Sequence, residues 1–302
     1  MPDAAREAAG RADRALGAYL GLAIGDALGA TVEFMTPTEI ARRYGVHRDI
    51  VGGGWLRLAP GHVTDDTTMS LALGDAIVRC GGWQLPAIAA SFGAWLRAGP
   101  IDCGNTCRRG IRRYLADGSL TAPPNDGDAG NGAAMRNLPV VLASLDDAGT
   151  LAERALAQAR LTHNHPQSDA AVLVLGEMAR RLVADGDAVG CAGIAARLVA
   201  DHPAFRFDPY PGRASGYVVD TVQTVLHCFF RHARFEDALV AAVNRGGDAD
   251  TNGALVGMLA GARCGAEALP RRWLDRIDQV LVRAITAQTS ALLALSRPQG
   301  AS

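Results

Sequence analysis

The sequence predicts an all-α protein of one domain, and three observations carry that expectation. In segment after segment, apolar residues recur at helical rather than alternating spacing. No Pro/Ser-rich linker, charge block or low-complexity run divides the 302 residues. Two oxygen-rich clusters, Thr64-Asp65-Asp66-Thr67-Thr68 and Gly246-Gly247-Asp248-Ala249-Asp250-Thr251, lie toward opposite ends of the chain, and each leads into an apolar segment. They read as halves of one site, which favours a single folded unit, 1–302, over two.

Bulk properties narrow the class. Hydrophobic residues make up 49%, ample for a large core, while 30 basic and 31 acidic side chains leave the net charge at −1. No nucleic-acid footprint is indicated. Six cysteines without close paired spacings read as reduced thiols. Cys103 and Cys107 are four apart, but a structural zinc site needs two more soft ligands. The first fourteen residues hold no apolar signal core. Ala15 to Ala30 is too short for a membrane span and contains Asp26, so a cytoplasmic protein is expected.

In order, Arg14 to Ala30 reads as a buried helix with Gly17, Gly21, Gly25 and Gly29 along one face. Glycine there costs helix stability, which predicts a second helix packed closely against it, with Asp26 as a buried hydrogen-bonding residue. Glu33 follows among apolar residues: a surface glutamate, or an acid or base beside a metal site. Glycine-rich Tyr44 to His62 reads as loop. Helices are expected over Met69–Arg79, over Leu85–Ala98 with Pro86 in its first turn, over Thr106–Leu115 and over Ala133–Leu145. Asp102 stands between two of these, where an N-cap is the plain reading. Arg108, Arg109, Arg112 and Arg113 form either a solvated helix face or a patch for phosphates or an acidic surface. The loop Asn125 to Gly132 is expected to open onto a helix whose backbone N–H groups suit phosphate oxygens.

Further helices are expected over Leu151–Leu161, Asp169–Val183 and Ala188–Val199. The alternating His163 and His165 suit substrate contact or structural hydrogen bonds better than zinc. Ser215 to Phe230 reads as a central helix whose start faces the site, with Tyr217 on substrate or in the core. Phe235–Val243 leads to the second acidic cluster and the apolar run Ala254–Ala262. Trp273–Leu295 is expected to close the chain as one helix.

The acidic clusters need a chemical reason. One aspartate before a helix is explained by capping and the helix dipole; the second in Asp248-Ala249-Asp250 is not. Adjacent Asp65 and Asp66 repel unless a cation or donors lie between them. Thr64, Asp65, Asp66, Asp248, Asp250 and Thr251 together offer enough oxygens for two hard divalent cations, with positions left for water.

Gly25-Asp26-Ala27-Leu28-Gly29, Thr64-Asp65-Asp66-Thr67 and Gly246-Gly247-Asp248-Ala249-Asp250-Thr251 resemble the three signature blocks of the ADP-ribosylglycohydrolases. The likeness extends from about Arg14 to Leu295. Gly53–Leu58, Ile101–Tyr114, Gly127–Arg136 and Thr162–Pro166 are similar to the branch that acts on dinitrogenase reductase in nitrogen-fixing bacteria. The resemblance implies a single-domain orthogonal helical bundle with a two-metal centre of Mn²⁺ or Mg²⁺. It implies catalytic roles for Asp102 and, as an assistant, Glu33. It also implies substrate contacts from Asn105, Asp126, Gly127, Gly130, Asn131, Gly132, Met135, His163 and Tyr217; Asp126 stands where the branch carries Glu.

The implied reaction is hydrolysis of the bond between ADP-ribose and an arginine of dinitrogenase reductase. Implied partners are a PII-type signalling protein and, through it, an ammonium transporter at the membrane. Rival readings are hydrolysis of a serine linkage or small ester of ADP-ribose, a non-catalytic binding member of the fold, and a metal-dependent phosphohydrolase.

Overall fold

Among the described residues there are fourteen α-helices and no strand, only two isolated β-bridges. The structure is a computed structural model and describes residues 2–296. The helices are α1 (Pro2–Gly29), α2 (Pro37–Tyr44), α3 (Asp65–Arg79), α4 (Leu85–Arg97), α5 (Asn105–Asp117), α6 (Leu138–Ala143) and α7 (Ala148–Arg160). They continue as α8 (Pro166–Asp185), α9 (Ala188–Asp201), α10 (Val218–Arg231), α11 (Phe235–Val243), α12 (Ala249–Cys264), α13 (Arg271–Leu274) and α14 (Gln279–Ser296).

The axis of the fold is the antiparallel pair α1 and α12. A Cβ on Gly17, Gly21 or Gly25 would fall 2.4, 2.2 and 2.0 Å from the carbonyl oxygens of Gly261, Gly257 and Gly253, and the converse holds from α12. Gly29 meets Ala249 in the same way. The glycine face predicts this close neighbour, and the backbones touch where any side chain would hold them apart. Every residue of α12 from Ala249 to Ala262 is buried; the polar first turn belongs to the site, and the apolar run from Ala254 to Ala262 suits burial on all sides. The central place expected of α10 thus belongs to α12; α10 packs against it and is itself buried over most of its length.

Local signals set several boundaries. Thr36 begins α2 with a capping box to Glu39, and Pro37 fills the first turn; this helix lies outside the predicted elements. The side chains of Asp147, His165 and Asp187 accept backbone N–H groups at the starts of α7, α8 and α9.

Two expectations need correction. The helix expected over Ala133–Leu145 is only α6. Residues 131–136 form turns, with Ala134 and Met135 both donating to the Asn131 carbonyl, so the glycine loop does not open directly onto a helix. The helix expected over Trp273–Leu295 is broken between α13 and α14. There the buried Trp273 is fixed by its indole N–H on the Arg48 carbonyl (2.9 Å), and Asp278 accepts the N–H of Val280 (2.8 Å) to start a new helix.

Candidate metal centre and active site

A cavity of about 530 Å³ opens where the segment after α1, the starts of α3 and α12 and the loop before α5 converge. Asp26, buried in the last turn of α1, accepts the backbone N–H of Thr64 (2.9 Å) and of Thr67 (3.1 Å) and the Thr67 hydroxyl (2.5 Å). It thereby locks the start of α3 onto α1, as the buried hydrogen-bonding residue expected at this position.

From that start Asp65 faces the cavity and accepts the Gly104 N–H (3.1 Å). Asp66 lies deeper. Its Oδ2 accepts the hydroxyls of Thr64 (3.3 Å) and, from α12, Thr251 (3.2 Å), while its buried Oδ1 has no hydrogen-bond partner. The two acidic clusters, 185 residues apart between Asp66 and Thr251, do meet.

Glu33 joins them by a backbone device. Phe34 adopts a left-handed φ of 61°, and its N–H donates to Gly247 O (2.6 Å) while Gly247 N–H donates to Met35 O (2.9 Å). Gly246 and Gly247 also have positive φ, and a Cβ on either would strike the Met35 or Ala214 carbonyl oxygen at 1.9 or 2.3 Å. Only glycine fits there, which explains the pair preceding Asp248. As a result Glu33, Asp248 and Asp250 bring carboxylate oxygens within 4.8 Å of one another. A second loop holds the outer face of Glu33. Gly52, Gly53 and Gly54 take positive φ, and Trp55 donates its indole N–H to Glu33 Oε2 (2.5 Å), its ring tilted on Phe34 at 5.3 Å.

Burial, followed by repulsion from neighbouring carboxylates, pushes Asp65 up to about 7 and Glu33 up to about 8. It raises Asp66 and Asp250 well above the carboxylate range. Asp26 rises to about 6 by burial, against the hydrogen bonds it accepts. Burial also raises Asp248 and Asp102. A buried set of carboxylates that repel one another, with one oxygen lacking any donor, is the donor chemistry that hard divalent cations match.

The remaining candidates divide. Asp102, in the loop before α5, faces the cavity, as do Asn105, Gly130, Asn131, Gly132, Met135 and His163. The Asn131 side-chain amide donates to Asp248 and to Thr221 of α10 (3.0 Å). Asp126 and Gly127 are exposed on a 3-10 turn outside the cavity lining, where the Gly127 N–H is already taken by Asn125 Oδ1 (2.7 Å). Tyr217 also lies outside the lining, its hydroxyl donating to Gln167 Oε1 (2.7 Å), although Gly216 beside it lines the cavity. His165 caps α8 and parts from His163. Arg108 alone of the arginine run lines the cavity; Arg109 pairs with Asp128, and Arg113 donates to the Leu161 carbonyl (2.8 Å). Cys107 faces the cavity from α5, Cys103 from the preceding loop, and all six thiols are free.

The model of the ADP-ribosylglycohydrolases matches residues 7–301. The chain belongs to this family. Among relatives of this ADP-ribosylglycohydrolase, an "ADP-ribosyl-[dinitrogen reductase] glycohydrolase" of Rhodospirillum rubrum is 56% identical over 284 residues, 94% of this chain and 97% of that one. An "ADP-ribosylarginine hydrolase Tri1" of Serratia proteamaculans is 32% identical over 88% of this chain and 76% of that one. A solved structure titled "ADP-ribosylglycohydrolase-related protein complex" superposes with a TM-score of 0.84 at 36% identity, covering 95% of this chain and 99% of that one. The all-helical fold expected of the family is the one observed.

Sequence reasoning passed over Phe34 and the hold of Trp55 on Glu33. The glycine run Gly52-Gly53-Gly54 was the signal for the latter, since it marks a backbone turn that delivers the next side chain.

Proposed function

We propose that this ADP-ribosylglycohydrolase hydrolyses the N-glycosidic bond between ADP-ribose and an arginine side chain, and that its protein substrate is ADP-ribosylated dinitrogenase reductase. The observation that carries the reading is the 56% identity, along nearly the whole of both chains, to the Rhodospirillum rubrum protein of that name. The carboxylate-lined cavity supports the chemistry. In this reading the whole chain works as one catalytic domain.

Thr64, Asp65, Asp66, Asp248, Asp250 and Thr251 would hold two Mn²⁺ or Mg²⁺ ions; the carboxylate of Glu33, within 4.8 Å of those of Asp248 and Asp250, supports its sharing in the set. When bound, such ions supply positive charge that orients ribose hydroxyls and makes a water more acidic. Asp102, with Glu33 assisting, manages protons and stabilises positive charge at ribose C1. The C1–N bond breaks, a water oxygen bonds to C1, and a proton from that water reaches the departing guanidine nitrogen. Asn105, Gly130, Asn131, Gly132, Met135 and His163 line the wall open to the rest of ADP-ribose. Asp126, Gly127 and Tyr217, outside that wall, would touch only a part of the substrate that projects beyond it.

The same reading includes a PII-type signalling protein and, through it, an ammonium transporter. No helix among the described residues is long and apolar enough to cross a membrane, so membrane association would be made through those partners.

Arginine-ADP-ribosylated dinitrogenase reductase incubated with the protein should release intact ADP-ribose and regain activity with Mn²⁺, and not with a chelator. Cleavage of a serine-linked substrate with the arginine linkage left whole would overturn the substrate; phosphate release would overturn the reaction.

A further inference from the structure

We propose that Arg136 and Thr162 are positioning residues for His163, holding its imidazole in the Nε2–H tautomer so that it presents a hydrogen-bond donor to an acceptor oxygen of ADP-ribose. The proposal rests on the functional reading above for the identity of the ligand, and on local geometry for the tautomer.

Arg136 is wholly buried and forms no ion pair among the described residues. Its Nε donates to Gln158 Oε1 (2.9 Å), and its Nη2 donates to Gln158 O (3.0 Å) and to Thr162 Oγ1 (2.8 Å). Its guanidinium lies over the Phe92 ring at 4.7 Å. Gln158 is itself fixed, its amide donating to Ala133 O (3.0 Å) and Asn137 Oδ1 (3.2 Å). The guanidinium is donor-only and keeps its protons in proteins. Thr162 Oγ1 must therefore accept from it.

The hydroxyl proton of Thr162 has one remaining place to go. Thr162 is buried, and besides Arg136 its oxygen meets only His163 Nδ1, at 2.8 Å. If Nδ1 carried the ring proton, the hydroxyl proton would be buried without an acceptor, a cost of the order of a full hydrogen bond. The hydroxyl therefore donates, Nδ1 accepts, and the ring proton sits on Nε2.

The chain keeps that proton uncovered. His163 lines the cavity, and its Nε2 has no hydrogen-bond partner among the described residues. A Cβ at Gly130 would lie 3.2 Å from Nε2, and one at Gly132 would lie 3.3 Å from it. Side chains at either position would cover the imidazole edge; glycine leaves it open. Gly110 serves the other end of the relay, because a Cβ there would lie 2.5 Å from Thr162 Cα. Burial, then the positive charges of Arg136 and Arg109, keeps the ring well below the usual histidine range, in keeping with a neutral donor.

The test uses the full chain with Mg²⁺ added, and Thr162→Val and Thr162→Ser in place of changes at the buried arginine. Two-bond ¹H–¹⁵N correlation spectra should show His163 as the Nε2–H tautomer in wild type and Thr162→Ser, with that assignment lost in Thr162→Val. Calorimetry should show ADP-ribose binding roughly tenfold weaker in Thr162→Val, restored in Thr162→Ser, with Mg²⁺ affinity equal in all three. In a His163→Ala background, Thr162→Val should add no further loss. A proton on Nδ1 in the wild type, or undiminished ADP-ribose binding by Thr162→Val, would overturn the relay. Failure of the wild-type chain to bind ADP-ribose at all would instead overturn the functional reading, and the ligand named here with it.

Discussion

Glu33 is held on three sides: by the left-handed Phe34 that turns the chain, by the Gly246-Gly247 contact, and by the Trp55 indole. Trp55→Phe removes only the N–H and keeps a ring against Phe34. Divalent-metal affinity measured by calorimetry should fall about tenfold, the usual effect of losing a hydrogen bond behind a ligand; an unchanged affinity would show that Glu33 needs no such hold. Asp102→Asn should lower turnover about 10²- to 10⁴-fold while metal binding persists. The pH behaviour follows from carboxyl groups raised above their unfolded values. Asp26, Asp65 and Glu33, at about 6, 7 and 8 when folded against ordinary values of 3.8, 3.8 and 4.5, stabilise the metal-free fold at low pH. That contribution is lost as pH rises through those values. The gap in melting temperature between metal-loaded and metal-free protein should therefore widen from about pH 5 to pH 8, and a constant gap would contradict it. The aspartates were legible because like charges clustered ahead of apolar helices are costly unless a cation offsets their repulsion. Trp55 on Glu33 was not, since that contact spans 22 residues and depends on positive-φ turns that helical periodicity does not register.

At the scale of elements, the glycine face of α1 was legible as a demand for a close neighbour, but its partner was not. Gly253, Gly257 and Gly261 repeat the same four-residue step in the sequence, but nothing in α1 alone says that they face it; the backbone contacts do. Gly25→Ala would place a methyl group 2.0 Å from the Gly253 carbonyl oxygen. Overpacking costs about 1–3 kcal/mol, against a gain of about 1 kcal/mol in helix propensity. The melting temperature should fall and metal affinity with it, since Asp26 and Asp250 ride on the two helices. Gly193→Ala in α9 is the contrast: that position is exposed, with no atom near the added methyl, so thermal melting should show a gain of about 0.5–1 kcal/mol. The short α2 and the α13–α14 break were not legible in the sequence because both are decided by individual side-chain contacts rather than by periodicity.

Across the whole molecule, one hydrophobic core links helices from both ends of the chain, and the metal set draws on both. Asp248→Ala should stay folded, lose activity, and melt at a temperature no longer raised by Mn²⁺, because a cation stabilises only the state that binds it. Convergence of the two clusters was legible from chemistry alone; the course of the intervening 180-odd residues was not, because many helical paths satisfy the same apolar pattern. The pairing of α1 with α12 also bears on how the protein is made. A ribosome releases α1 long before α12 exists, so the nascent chain carries the glycine face of α1 without its partner while the residues between Gly29 and Ala249 are made. No fragment ending before Asp248 can complete the carboxylate set. The growing polypeptide is therefore without a complete site until α12 has been made.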